Sequence, residues 1–168
     1  MDAMPRYHLA QINVGRVLAP IEDPLMAEFV AQLDEINALA DGSPGFVWRL
    51  QTDSGNATSV HAFEDDRILL NMSVWESAEA LKAFVYESAH APVMRQRRKW
   101  FERFQGAYMC LWWVEAGHIP SAFEAKERLE HLQAHGPTAW AFSFATLYPA
   151  PDAASSKPVE GFADPCPA

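Results

Sequence analysis

Residues 108–115, Tyr-Met-Cys-Leu-Trp-Trp-Val-Glu, constrain the fold more than any other stretch of this chain. Successive side chains of a strand point to opposite faces. The adjacent Trp112 and Trp113 therefore call for cover on both sides of a sheet. In a monomer the outer face of such a sheet would be wet, so the second cover is expected from a partner subunit and the chain is predicted to form a homodimer.

The rest of the pattern supplies that sheet and its helices. Tyr7 to Val14 alternates as a strand, with Tyr7, Leu9, Gln11 and Asn13 on one face. Asp23-Pro24 is an N-cap and first-turn pair opening a helix whose stripe is Leu25, Phe29, Leu33, Ile36 and Ala40; Gly42 and Ser43-Pro44-Gly45 end it. Phe46 to Leu50 is predicted as a strand, Gln51 to Arg67 as a polar segment with a hairpin tip at Ser54-Gly55-Asn56, and Ile68 to Trp75 as the next strand. Ser77 caps a helix carrying Leu81, Phe84, Val85 and Ser88, which breaks near His90-Ala91-Pro92. A third helix is expected to hold Met94, Phe101 and Phe104 on one side. After the strand at 108–115, Ser121 and Glu124 form a capping box for a helix ending at Gly136-Pro137, and Trp140 to Leu147 is predicted as a last strand.

The expected class is α+β: a ferredoxin-like β-α-β-β-α-β domain over residues 7–149, with an antiparallel sheet, helices on one face, and an extra C-terminal helix and strand. From Pro149 onward the chain is rich in Pro, Ala, Ser and Asp, and residues 150–168 are expected to be a disordered tail.

Composition narrows the partners. With 49% hydrophobic residues the chain can build a core, and its net charge of −9 disfavours nucleic acid and anionic membrane surfaces. Neither a signal peptide nor a run of about 20 apolar residues is visible, so a cytoplasmic location is expected. Cys110 and Cys166 show no metal or disulfide spacing. Gly-rich phosphate loops and the GxSxG elbow are absent, which disfavours nucleotide-dependent and α/β-hydrolase chemistry. His131 and His135 stand four apart, but the intervening Leu-Gln-Ala lacks the metalloprotease glutamate; they read as helix-dipole partners and no metal is expected.

Gln11, Asn13, Trp75 and His90 invite a chemical reading. Gln11 and Asn13 are amides on a strand that should be half buried, so they either line a wet pocket or bond the loop at Arg16 to Glu22. Trp75 and His90 bracket one helix where it meets the sheet. His90 could project into a cavity, where imidazole suits proton transfer or haem ligation, or could cap the helix C-terminus. Of the basic run Arg95, Arg97, Arg98, Lys99 and Arg103, Arg98 beside Met94 and Phe101 is the expected inward cation, and Arg49 is a second candidate for a carboxylate.

Several segments carry a resemblance: Leu9-Ala-Gln-Ile-Asn13, Ser43 to Leu50, Asn71-Met-Ser-Val-Trp-Glu-Ser77, Phe84 to His90, Leu111-Trp-Trp-Val114 and Ala116-Gly-His-Ile-Pro120. Over residues 7 to 149 the chain resembles a bacterial domain-of-unknown-function family, DUF3291, of the dimeric α/β-barrel superfamily. It is more distantly similar to antibiotic-biosynthesis monooxygenases and haem-degrading members, in which a Val-Trp-Glu-Ser strand end leads into a helix ending in Ala-His. Here these are Val74 to Ser77 and Ala89-His90.

That resemblance implies Asn13, Trp75 and His90 as the catalytic set. Gln11, Trp48, Arg49, Tyr86, Arg98 and Trp112 are the expected substrate contacts. The implied activity is cofactor-free monooxygenase-like oxidation or proton transfer on an aromatic or polyketide-like molecule, with His90 as base. Haem held by His90, or a non-catalytic small-ligand module, are the alternatives.

Overall fold

The computed structural model describes residues 4–51 and 62–165; the hairpin tip expected at Ser54-Gly55-Asn56 and Cys166 lie outside the described residues. The element order is β1 (Tyr7–Arg16), α1 (Ala27–Asp41), β2 (Phe46–Arg49), β3 (Ile68–Trp75), α2 (Ala78–Ser88), α3 (Pro92–Arg95), β4 (Met109–Glu115), α4 (Ala122–His135), β5 (Thr146–Leu147) and β6 (Val159–Glu160). This is an α+β fold built on a four-stranded antiparallel sheet of order β2-β3-β1-β4. No helix among the described residues is long and apolar enough to cross a membrane.

Local chemistry starts the helices where the sequence indicates. The Asp23 carboxylate accepts from the Leu25 amide at 2.9 Å, and a 3-10 turn from Pro24 to Met26 leads into α1. Ser77 Oγ accepts from the Ala80 amide and Ser121 Oγ from the Glu124 amide, each at 3.1 Å. These bonds satisfy amides that the first helical turn leaves without partners. Gly136, with φ of 74°, takes the left-handed conformation that ends α4.

The two faces of the sheet are both covered within one chain. Ala10, Ile12, Cys110, Trp112 and Val74 pack against Ala125, Leu129 and Leu132 of α4. On the other face Leu9, Trp75 and Leu111 pack with Leu81 of α2 and with Phe142 and Phe144. The expectation of helices on one face only is therefore corrected. Trp112 is covered by α4 of the same chain.

Two further elements differ from the sequence reading. The helix expected over Met94 to Phe104 is a four-residue α3 and a 3-10 turn at Arg97–Lys99. The chain beyond pairs with the end of β1: Leu18 N donates to Trp100 O at 2.8 Å and Glu102 N to Arg16 O at 2.9 Å. That pairing holds Trp100, 1% exposed, against Val17, Met26 and Phe29 and is incompatible with continuing the helix.

The strand expected at Trp140 to Leu147 is split. Phe142 makes a single bridge to Leu111 at the edge of β4, and β5 pairs instead with β6. The segment expected as a disordered tail thus returns to the body: Gly161 N donates to Ala145 O, Phe162 N to Phe144 O, and the Phe162 ring stacks on Phe144 at 4.6 Å. Aromatic burial at Phe162 supplies what composition alone did not reveal.

Cys110 lies in the core between β1 and α4, and burial is the main cause that pushes its thiol up to about 12 from an ordinary value of 9.0. The unfolded chain loses this proton above about pH 9, whereas the folded chain keeps it until about pH 12. Stability from this group is therefore complete below pH 9 and declines as pH rises through that window. Melting temperatures are expected to fall more steeply between pH 9 and 11 in wild type than in Cys110→Ala. Equal slopes would show that the thiol is not held protonated by the fold.

Candidate functional site

The site grows out of strand register. Across β1 and β3, Leu9 faces Trp75, Gln11 faces Ser73 and Asn13 faces Asn71; across β1 and β4, the same three face Trp113, Leu111 and Met109. One sheet face therefore grades from aromatic at one end to amide at the other. The apolar end is filled by α2. Over the amide end the helices leave a cavity of about 210 Å³.

Hydrogen bonds tie that face into one ladder. Gln11, 5% exposed, donates from Nε2 to Ser73 Oγ at 2.7 Å and to Asn71 Oδ1 at 2.8 Å. Ser73 Oγ also accepts from Trp75 Nε1 at 2.8 Å. Asn13 Nδ2 donates to Gln11 Oε1 at 3.4 Å. Gln11 is the buried hub, and both of its amide ends are satisfied, as a buried amide requires. Asn13 and Asn71 are exposed to the cavity and form its floor.

The walls are mostly apolar, with Asn37 of α1 and Ser88 of α2 also among the lining residues. Phe29, Leu33 and Ile36 of α1 stand on one side, and Leu81, Phe84 and Val85 of α2 on another, with Met94 and Phe101 between them. Arg97, Tyr108 and Asp164 are the titratable lining groups. The Tyr108 hydroxyl donates to the Asp164 carboxylate. The Arg97 guanidinium lies over the Tyr108 and Phe101 rings at 5.8 and 5.9 Å. Asp164 and Pro165 bring the C-terminal segment to the cavity edge.

The residues singled out by sequence divide cleanly. Gln11 and Asn13 belong to the cavity floor, which answers the choice between pocket and loop in favour of the pocket. Trp75 connects to them through Ser73 but does not line the cavity; it is fully buried, edge-on to Phe46 and stacked on Phe84 with ring centroids 5.0 Å apart. His90 is exposed beyond the end of α2, outside the cavity lining, with Nδ1 3.3 Å from the Arg95 guanidinium. The three residues do not converge.

The expected substrate contacts also scatter. Trp112 lies on the opposite face and donates to Glu124 Oε2 at 3.2 Å, and Trp48 packs on that same face. Arg49 forms a two-pronged pair with Asp41 at 2.7 and 3.2 Å. The Tyr86 hydroxyl donates to Ala163 O, which anchors the C-terminal segment. Arg98 is exposed; the inward arginine is Arg97, because the helix assumed in counting faces gives way to a 3-10 turn there. His131 and His135 stack at 4.6 Å on α4, His131 also against Trp140.

Asn71, Arg97, Tyr108 and Asp164 were missed. For Asn71 the signal was available: a lone amide inside the apolar run Ile-Leu-Leu-Asn-Met, the same anomaly that marked Gln11 and Asn13. For Asp164, in a Pro- and Ala-rich segment, none was.

Residues 8–158 match the model of a domain of unknown function, DUF3291. No curated protein matches the chain. Among solved structures, a protein of unknown function from Nitrosomonas europaea is similar at 14% identity and a TM-score of 0.42, over 70% of this chain and 99% of that one.

Proposed function

This chain belongs to the DUF3291 family of domains of unknown function, and we propose that it binds a small amphipathic molecule in the cavity between the sheet and helices α1 and α2. One observation carries the proposal: the amides Asn13 and Asn71, fixed by the buried Gln11, sit at the base of apolar walls from two helices. A few convergent polar groups in an otherwise apolar concavity are the usual anatomy of a ligand site. The apolar body of the ligand lies against Leu33, Phe84 and Phe101, and its polar end meets the amide floor.

The strand order and the β1-α1-β2-β3-α2-β4 connectivity support a ferredoxin-like reading of the body. Support for a face-to-face dimeric barrel is weaker, because α4 occupies the sheet face such a dimer would use.

Binding is favoured over catalysis by His90. Amides transfer no protons at neutral pH, and the exposed His90 engages Arg95 away from the floor. An enzymatic version is carried by the Tyr108–Asp164 hydrogen bond, a phenol and a carboxylate placed to pass a proton at the cavity edge. In that version Tyr108→Phe would abolish turnover of a screened substrate while leaving affinity within about twofold.

Titration with 1-anilinonaphthalene-8-sulfonate, read by its fluorescence, tests the binding reading. Leu33→Trp, which fills the cavity from α1, is expected to weaken the probe more than about tenfold. His90→Ala is expected to change it less than about twofold. Equal affinity in Leu33→Trp would place the probe elsewhere and remove the support for this cavity. A tenfold loss in His90→Ala would restore His90 to the site.

A further inference from the structure

The floor amides specify more than polarity, and the following inference rests on the binding reading above. Each uses one end of its carboxamide inside the ladder: Asn71 Oδ1 accepts from Gln11 Nε2, and Asn13 Nδ2 donates to Gln11 Oε1. What remains toward the cavity is the Asn71 amide N–H as donor and the Asn13 carbonyl as acceptor. Gln11 enforces this opposition, because one side chain serves both neighbours with opposite ends. Reversing all three carboxamides exchanges the two roles and still leaves one donor beside one acceptor.

Asn13 and Asn71 are directly opposed in register. Cross-strand partners on one face hold their Cβ atoms about 5 Å apart, close enough for both free groups to meet one edge of one ligand. An edge that satisfies a donor and an acceptor at once is itself a donor next to an acceptor. We propose that this site recognises a lactam or carboxamide edge, an N–H adjoining a C=O, on a ligand whose apolar ring system fills the space under Phe29, Phe84 and Phe101. The floor carries neither acid nor base, so recognition there is of a neutral group.

Three bicyclic probes separate the possibilities: quinolin-2(1H)-one, which has the full edge; its N-methyl derivative, which lacks the donor; and 2-methoxyquinoline, which lacks both the N–H and the carbonyl. Affinities are read by calorimetry, with 1-anilinonaphthalene-8-sulfonate as the control that lacks the lactam edge. Wild type is expected to prefer the lactam over the N-methyl form by about tenfold, the range of one or two net hydrogen bonds. Asn13→Leu and Asn71→Leu, both at exposed positions, are expected to retain the fold by circular dichroism and to reduce that preference to about twofold or less.

Equal binding of all three probes, or a preference that survives in both variants, overturns the lactam assignment and leaves the cavity as a binding site. Binding of the anilinonaphthalene probe, blocked by Leu33→Trp, with no binding of the quinolinone overturns it in the same way. If neither the quinolinone nor the anilinonaphthalene probe binds, the binding reading falls with it.

Discussion

Trp75→Ala is expected to lower the stability of the folded state by about 3–5 kcal/mol, in the range found for removing a large aromatic from a packed core. Trp75 is fully buried, its ring lies between Phe46 and Phe84, and its Nε1 donates to Ser73 Oγ. Truncation removes the stacked surface, opens a void beside α2, and leaves Ser73 and Gln11 to share a shortened ladder. Trp75→Phe keeps most of the apolar volume and loses the indole hydrogen bond, so its expected cost is about 1–2 kcal/mol. Urea unfolding of the two variants measures both. A Trp75→Ala protein as stable as wild type would show that neighbouring side chains close the void and that the indole adds little to the core.

Trp75 illustrates how far the sequence reached into the site. Strand alternation places Gln11 and Asn13 on one face of β1, and the anomaly of amides inside an apolar strand marks them correctly as cavity residues. The same anomaly is present at Asn71, a lone amide in β3, but its position opposite Asn13 is a long-range fact that no local pattern contains. Arg98 was chosen by continuing a helical period through residues where the helix stops. The loss of 0.6 residue per turn on entering a 3-10 segment is enough to move the inward position to Arg97. His90 depended on resemblance of residue types along the chain, whereas its side chain lies beyond the end of α2 and turns to Arg95.

The fold was legible for a related reason. Caps at Ser77 and Ser121, the alternation of β1 and the apolar strand β4 are local signals, and all four elements lie where those signals put them. The two-sided burial of Trp112 and Trp113 was also read correctly as a demand for cover. That α4 of the same chain covers the Trp112 face depends on where the chain returns after β4, which the strand itself does not contain. The segment after Pro149 was opaque for the opposite reason. Few of its residues are large and apolar, yet one of them, Phe162, docks on Phe144, and Tyr86 and Tyr108 hold the two residues that follow it.

Gly161→Ala is expected to release that C-terminal segment. A Cβ at this position would overlap the Phe144 carbonyl oxygen and lie 2.8 Å from its carbon. These are backbone atoms held by the Phe162 N–H on one side and by the buried Phe144 side chain on the other, so no rotamer change relieves the overlap. The amides of Gly161 and Phe162 lose their carbonyl partners at Ala145 and Phe144, and their hydrogen exchange is expected to accelerate by about two orders of magnitude. Exchange in β1 and β3, whose bonds do not involve this segment, is expected to stay within about twofold. The consequence reaches the cavity: Asp164 and Pro165 leave its edge, and the Tyr108 hydroxyl is freed from its carboxylate. If these amides already exchange in wild type as fast as an unstructured peptide, the segment is not docked in solution, and the cavity is bounded by the helices and sheet alone.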